Sequence, residues 1–236
     1  VDYATSYHPH HRGIFLAWHA VEGPRPADFW GWGQFAPTDQ RVITNRRLTP
    51  GRTDSDGASF TVDNEWMVDE QVYMDEHSVF EAKEMEDGFL VDAEYRLKPR
   101  FDLTLRHTAF GGFCVKARQD GQRRYLSTDG PVSLPNPHHL KPKTNWPARD
   151  WYAFEIALEA GQTIGIAVVD HPENPPSLWH NLEPISMINP CIAAPGEYKM
   201  PAEKTLTLRY RMLVYDGPAP VKSIKRLAKD YRSATR

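Results

Sequence analysis

Cysteine is nearly absent from this 236-residue chain: only Cys114 and Cys191 occur, far apart and outside any Cys-x-x-Cys spacing. That excludes a zinc ribbon and a disulfide-stapled scaffold, and leaves room for at most one bridge. Long hydrophobic runs are missing too. No stretch approaches the roughly eighteen apolar residues that a membrane-spanning helix needs, and the mean hydropathy is −0.59. Nor does one charge dominate. The 28 basic and 31 acidic residues are interspersed, for a net charge of −3, which is not the footprint of a nucleic-acid binder. No phosphate loop, dinucleotide fingerprint or Gly-x-Ser-x-Gly elbow is present, so no nucleotide cofactor is expected. Internal repeats and low-complexity segments are lacking as well.

Histidine is what the chain has in concentration. His8, His10, His11 and His19, four of the ten, fall within twelve residues, in Tyr7-His8-Pro9-His10-His11-Arg12-Gly13 and the apolar run that follows it. Successive side chains of an extended strand point to opposite faces, so His8 and His10 share a face and form a ready chelate or a two-imidazole acid/base patch. Imidazole exchanges its proton near neutrality, and Arg12 beside it can clamp an anion. The plainer alternative is a solvated turn rich in histidine and proline. His19 reads as a core histidine, and His77, beside Asp75 and Glu76 on a polar hairpin, as solvated.

The seven Trp, ten Tyr and ten Phe, with 20 Pro spread over many connections, fit short strands and tight loops better than helices. Residues 13–20 read as a strand. In Asp28-Phe29-Trp30-Gly31-Trp32-Gly33 the glycines let backbone and rings approach a flat ligand or one another. Residues 41–48 read as a further strand and 49–57 as a turn-rich link. Period-2 alternation through Phe60, Val62, Val79, Phe80, Phe89–Leu97 and Phe101–His107 predicts a meander, with Asp87-Gly88 at a hairpin. Gly111-Gly112 suggests a bulge ahead of a strand to Lys116. Residues 128–147 hold five prolines with His138, His139 and Trp146 and read as a long ordered loop. Residues 151–158 and 163–170 form a strand pair, the second apolar on both faces and therefore central. Residues 206–214 alternate most clearly. Pro220 opens a helix with Val221, Ile224, Leu227, Ala228 and Tyr231 on one face and Lys222, Lys225, Arg226, Lys229 and Arg232 on the solvated one.

The expected fold is all-β: one antiparallel β-sandwich over residues 1–236 with an amphipathic C-terminal helix at 220–234. The histidines point to carbohydrate chemistry. A base must take an acidic proton, an acid must protonate a leaving oxygen, and a cation must hold developing charge. His10 and His11 are the candidate ligands or bases and Arg12 the anion clamp. His171 and His180 would complete the cluster from the far end of the chain. Trp18, Trp30, Trp151 and Trp179, with Arg149, Asp150, Asp170 and Asn174, are the candidate substrate-binding groups. One divalent metal ion could sit on His8, His10 and His171, since imidazole suits zinc, iron, copper and nickel.

The ordered set His8-Pro9-His10-His11-Arg12-Gly13, Asp28-Phe29-Trp30, Gly111-Gly112-Phe113, Asp150-Trp151, Asp170-His171-Pro172-x-Asn174, Trp179-His180 and Asn189-Pro190 resembles the bacterial family labelled methane oxygenase PmoA-like. The resemblance covers nearly the whole chain. It implies a soluble, β-rich protein of the bacterial cytoplasm or periplasm, from organisms that degrade glycans, with a sandwich similar to the galactose-mutarotase supersandwich. Members carry strands ahead of the His-His-Arg-Gly motif. By that likeness an uncovered sheet edge, and hence a homodimer, is expected. The reaction expected first is lyase or hydrolase cleavage of a glycoside or oxidised sugar. A mutarotase-like epimerase would use the same residues without cutting a bond between sugars, and a non-catalytic sugar-binding module would use only the tryptophans. A cupin-like metal oxygenase would use His8-x-His10 but lacks the nearby glutamate, the next acid being Glu22.

Overall fold

The computed structural model describes residues 13–118, 120–132, 146–159, 161–183 and 186–233. The apolar run after Gly13 forms β1 (Ile14–Trp18), and β2 (Val21–Glu22) follows at once. Four long strands come next: β3 (Arg41–Asp54), β4 (Gly57–Val68), β5 (Gln71–Met85) and β6 (Gly88–Pro99). Shorter pieces follow as β7 (Leu103–Leu105), β8 (Gly111–Lys116), β9 (Gln122–Ser127) and β10 (Gly130–Pro131). The expected strand pair is β11 (Trp151–Ala157) and β12 (Thr163–Asp170). After them come β13 (Leu178–Trp179), β14 (Met187–Ile188), β15 (Pro190–Cys191) and β16 (Tyr198–Met200). The chain then builds β17 (Leu206–Asp216) and the helix α1 (Val221–Ser233).

Nine strands make one antiparallel sheet in the order β10-β9-β11-β12-β17-β6-β5-β4-β3. The late strand β17 sits between β12 and β6 and ties the two halves together. Its alternation decides both faces. Leu206, Leu208, Tyr210 and Met212 turn into the main core, while Arg209, Arg211, Leu213 and Tyr215 turn outward. Small sheets cover the inner face: β1-β8-β14, β16-β7-β2 and β13-β15. Between them Phe113 stacks on Tyr210 at 4.1 Å and meets Tyr95 at 6.1 Å. On the outer face α1 buries Ile224, Leu227 and Ala228 against Trp151, Val169, Leu213 and Tyr215. Ile224 and Leu227 each contribute about 1.5–3 kcal/mol and Ala228 less. Ser223 hydrogen-bonds Asp87 at the β5–β6 turn, which pins the first turn of the helix to the sheet.

The all-β antiparallel architecture and the C-terminal helix are as the sequence predicts. Three local expectations are corrected. Of residues 49–57, expected as a turn-rich link, 49–54 continue β3, which pairs with β4 as far as Asp54 through register shifts at Asn45/Arg47 and Pro50/Thr53, and only 55–56 form the turn before β4. Pro50 is tolerated because β3 is an edge strand, where a missing N–H breaks no ladder. The segment 101–107 leaves the meander, and its β7 pairs instead with β2 and β16. The pair Gly111-Gly112 makes no bulge, since β1 and β8 keep an unbroken register. Their φ angles of +133° and +95° and the nearness of Trp18 and Pro190 are what require glycine. Cys114 and Cys191 are both free and buried.

Candidate functional site

The motif of residues 8–12 lies outside the described residues, and so do His138 and His139. The remaining site residues divide between the two faces of the sheet. His171 follows β12 on the outer face, where its ring meets Tyr231 of α1 edge-on at 4.8 Å. His180 follows β13 on the inner side and meets Phe110 at 4.6 Å. The two imidazoles therefore have separate neighbours and do not complete one cluster.

Asp170 and Asn174 are structural. Asn174 donates to the carbonyl of Arg209 at 2.8 Å and accepts its N–H at 2.8 Å, completing the edge of β17 as a strand would. Asp170 accepts from Asn174 at 2.6 Å and from Ser177 at 2.5 Å. Burial pushes its carboxyl up to about 6. Arg149 is spent on Asp129 at 2.7 Å, and Asp150 meets Arg232 of α1 at 3.3 Å. Of the three residues expected to hold a metal, His8 and His10 lie outside the described residues. Burial lowers the proton affinity of His171; Glu173 opposes that shift, and Arg209, Arg232 and Arg211 add to it. Among the described residues no group of three or more His, Cys, Asp or Glu is arranged to hold a metal.

The tryptophan platform is corrected as well. Trp18 and Trp179 are 0 % exposed, Trp151 1 % and Trp30 5 %, so their faces pack the cores and offer no open surface to a sugar. Trp32 is the exposed one, at 38 %. Its presentation is built by the motif itself. The buried carboxylate of Asp28 accepts the N–H groups of Gly31 at 2.8 Å, Trp32 at 3.1 Å and Gly33 at 2.6 Å. Gly31 and Gly33 supply the φ angles of +90° and +77° that wrap the chain around it.

Four rings from distant parts of the chain, Trp32 among them, converge here. Trp32 meets Phe110 at 4.5 Å and His19 at 5.2 Å, and Phe110 stands 5.9 Å from His19 and 4.6 Å from His180. His19 hydrogen-bonds the carbonyl of Phe110 through Nδ1 at 2.9 Å. A carbonyl only accepts, so that bond places the proton on Nδ1 and leaves the Nε2 lone pair of the neutral ring available as a base. His107, by contrast, uses its Nε2 on the carbonyl of Ala194 at 3.1 Å. Asn189 donates to the carbonyls of Gly111 at 2.9 Å and Phe113 at 2.6 Å, and its own Oδ1 accepts from no described residue. Trp18 Nε1, Trp179 Nε1 and Asn181 Nδ2 are buried donors with no hydrogen-bond partner among the described residues. Unpaired buried donors are costly, and they suit an oxygen-rich ligand or water.

Sequence reasoning missed His19 and Trp32 as a pair. His19 is buried, at 7 % exposure, as a core histidine should be. Only the fold reveals that its ring borders an exposed indole. The signal available was Asp28 ahead of Gly-Trp-Gly, a carboxylate-wrapped turn with an aromatic at its tip.

The model of DUF6807, described as a family of unknown function, matches residues 1–229. That finding overturns the resemblance to the methane oxygenase PmoA-like family, which nothing here indicates. No curated protein matches the chain. Among solved structures, the Slr1438 protein of Synechocystis sp. PCC 6803 is similar over 87 % of this chain and 78 % of its own, at 10 % identity and a TM-score of 0.39. A galactose mutarotase related enzyme from Lactobacillus acidophilus is similar over 86 % and 83 %, at 8 % identity and a TM-score of 0.37. A polysaccharide lyase is similar over 87 % of this chain and 33 % of its own, at 6 % identity and a TM-score of 0.32. All these scores fall below 0.5, and they assign this chain no activity. No helix among the described residues is long and apolar enough to cross a membrane.

Proposed function

The chain belongs to DUF6807, a family of unknown function, and we propose from its geometry that it is a sugar-acting enzyme that interconverts the anomers of an aldose. The observation that supports this reading is the convergence of His19, Trp32, Phe110 and His180 into one aromatic and imidazole cluster, with the two imidazoles buried and Trp32 opening it to solvent. A pyranose stacks its apolar face on an exposed indole. Ring opening then needs one base and one acid. His19 Nε2 takes the proton of the anomeric hydroxyl as the bond from C1 to the ring oxygen breaks, and His180 delivers a proton to that oxygen. Rotation about C1–C2 and the reverse transfers close the other anomer. Atoms and charge balance without any further reactant. Phe110 stands between the imidazoles, so the proposal requires its ring to turn aside when the sugar enters.

The test is anomer exchange followed by NMR on freshly dissolved aldoses. The native protein accelerates equilibration, and His19→Ala and His180→Ala each cost about 10²–10⁴-fold while remaining folded. Full activity in both variants overturns the assignment. New reducing ends or unsaturated products from a glycan would instead favour cleavage, by hydrolysis or elimination, at the same cluster.

A further inference from the structure

The outer face of the sheet carries a cleft of about 490 Å³ that the proposed reaction does not use. Its floor is β5, β6 and β17, one wall is the end of α1, and His171 and Glu173 close it. Every arginine on the floor is neutralised. Arg211 holds both oxygens of Asp92, each at 2.6 Å, and Arg209 bridges Glu94 at 2.6 Å and Glu173 at 2.7 Å. The lining has three arginines, with Arg96, against four carboxylates, with Glu81. That leaves one net negative charge, so a free anion is not favoured. A lone cation is not favoured either, because the guanidiniums already occupy three of the carboxylates.

What is left unspent is hydrogen-bonding capacity of both kinds. His171 is 6 % exposed, and its Nδ1 accepts the N–H of Glu173 at 3.2 Å. The proton of the neutral ring is therefore on Nε2, which bonds no described residue, and His171 is among the residues lining the cleft. Arg211 Nη1 and Arg209 Nη2 make no bond to a described residue, and Glu81 forms no ion pair among them. Tyr231 gives an aromatic wall, with the Arg211 guanidinium 4.3 Å over its ring.

We infer that this cleft is a second binding site, for a neutral polyhydroxylated ring, distinct from the imidazole cluster on the inner side. Ring hydroxyls would accept from His171 Nε2 and the arginine N–H groups and donate to Glu81. The inference shares with the proposed function only its ligand class.

The probes are methyl β-D-glucopyranoside, methyl β-D-galactopyranoside and methyl α-D-mannopyranoside, which cannot change anomer and so are not turned over by an anomer-exchanging enzyme. Each is titrated into the whole protein while NMR follows the ring signals of His171, Tyr231, His19 and His180. At least one should shift His171 and Tyr231 saturably below about 100 mM, and more tightly than glucuronate or phosphate does. Glu81→Ala, at an exposed position, should weaken that response about three- to tenfold. Arg211→Met should do the same, and Trp32→Ala should leave it unchanged. No shift with any probe, tighter binding of the anions, or an unaltered response in both Glu81→Ala and Arg211→Met overturns the inference. Shifts at His171 alone uphold this site and remove the support for the inner one, whereas shifts at His19 and His180 alone do the reverse.

Discussion

The two faces of the nine-stranded sheet are made by alternate residues of the same strands, yet they hold charge in opposite ways. Inside, Glu76 is 6 % exposed and forms no ion pair among the described residues. It accepts from Trp66 Nε1 at 2.7 Å, Ser78 Oγ at 2.7 Å and Asn64 Nδ2 at 3.0 Å. Outside, one strand over, Asp92 and Glu94 each face an arginine of β17 at 2.6 Å. A carboxylate deep among aromatic rings is served by neutral dipoles that themselves need an acceptor, whereas one at a wet cleft is served by guanidinium. The inner arrangement is thus part of the core and the outer one is a surface that can exchange partners.

Breaking the inner face should have the largest effect. Trp18 fills the core beside Trp66 at 5.7 Å, so Trp18→Ala should cost about 3–5 kcal/mol in urea unfolding. Trp32→Ala should stay within about 0.5 kcal/mol while abolishing sugar binding at the inner cluster. If Trp18→Ala instead folds normally and loses only binding, the division of the tryptophans drawn here is wrong. Glu76→Leu strands three donors at once and should cost about 2–3 kcal/mol. An unchanged urea midpoint would mean that water reaches them and that this carboxylate is not part of the core.

How much of this was legible beforehand follows from where the information lies. Alternation along Leu206–Met212 and the Asp87-Gly88 turn are local, and both appear in the fold as read. The apolar run through Val168 and Val169 also lands in the sheet interior. The edge strand β3 was not legible past Leu48, because Pro50, Gly51 and Asp54 carry turn chemistry and only the ladder to β4 overrides it. The site was the least legible part. Trp30 and Trp32 have almost the same neighbours in sequence, and the three N–H groups gathered by Asp28 decide which ring reaches solvent. Glu76 beside His77 looks like the polar tip of a hairpin. Strand parity instead sends Glu76 inward to Trp66 and His77 outward to Asp63 at 2.7 Å.

A smaller effect should appear with pH. Burial lifts the Asp170 carboxyl from its usual value near 3.8 to about 6. The folded protein therefore holds this proton more tightly than the unfolded chain. Its contribution makes stability fall as pH rises from about 4 to about 6 and leaves it level above. Asp170→Asn removes the titration, and the Ser177 hydroxyl can turn to accept from the new amide, so the variant should lose that slope. Urea midpoints measured across this range decide it, and a slope retained in the variant assigns it to another group.

The smallest effect belongs to the outer ladder. The side chains of Arg211 and Asp92 are 16 % and 31 % exposed, so their pair is partly screened by solvent. Coupling between Arg211→Met and Asp92→Asn in a double-mutant cycle should be about 0.5–1 kcal/mol and should shrink as salt is raised, since the Debye length falls to about 3 Å at 1 M. Glu76 has no ionic partner among the described residues, so the cost of Glu76→Leu should not respond to salt. A coupling at the outer pair that is large and indifferent to salt would make the ladder as dry as the inner face, and would also close the cleft to the polyol ligand proposed for it.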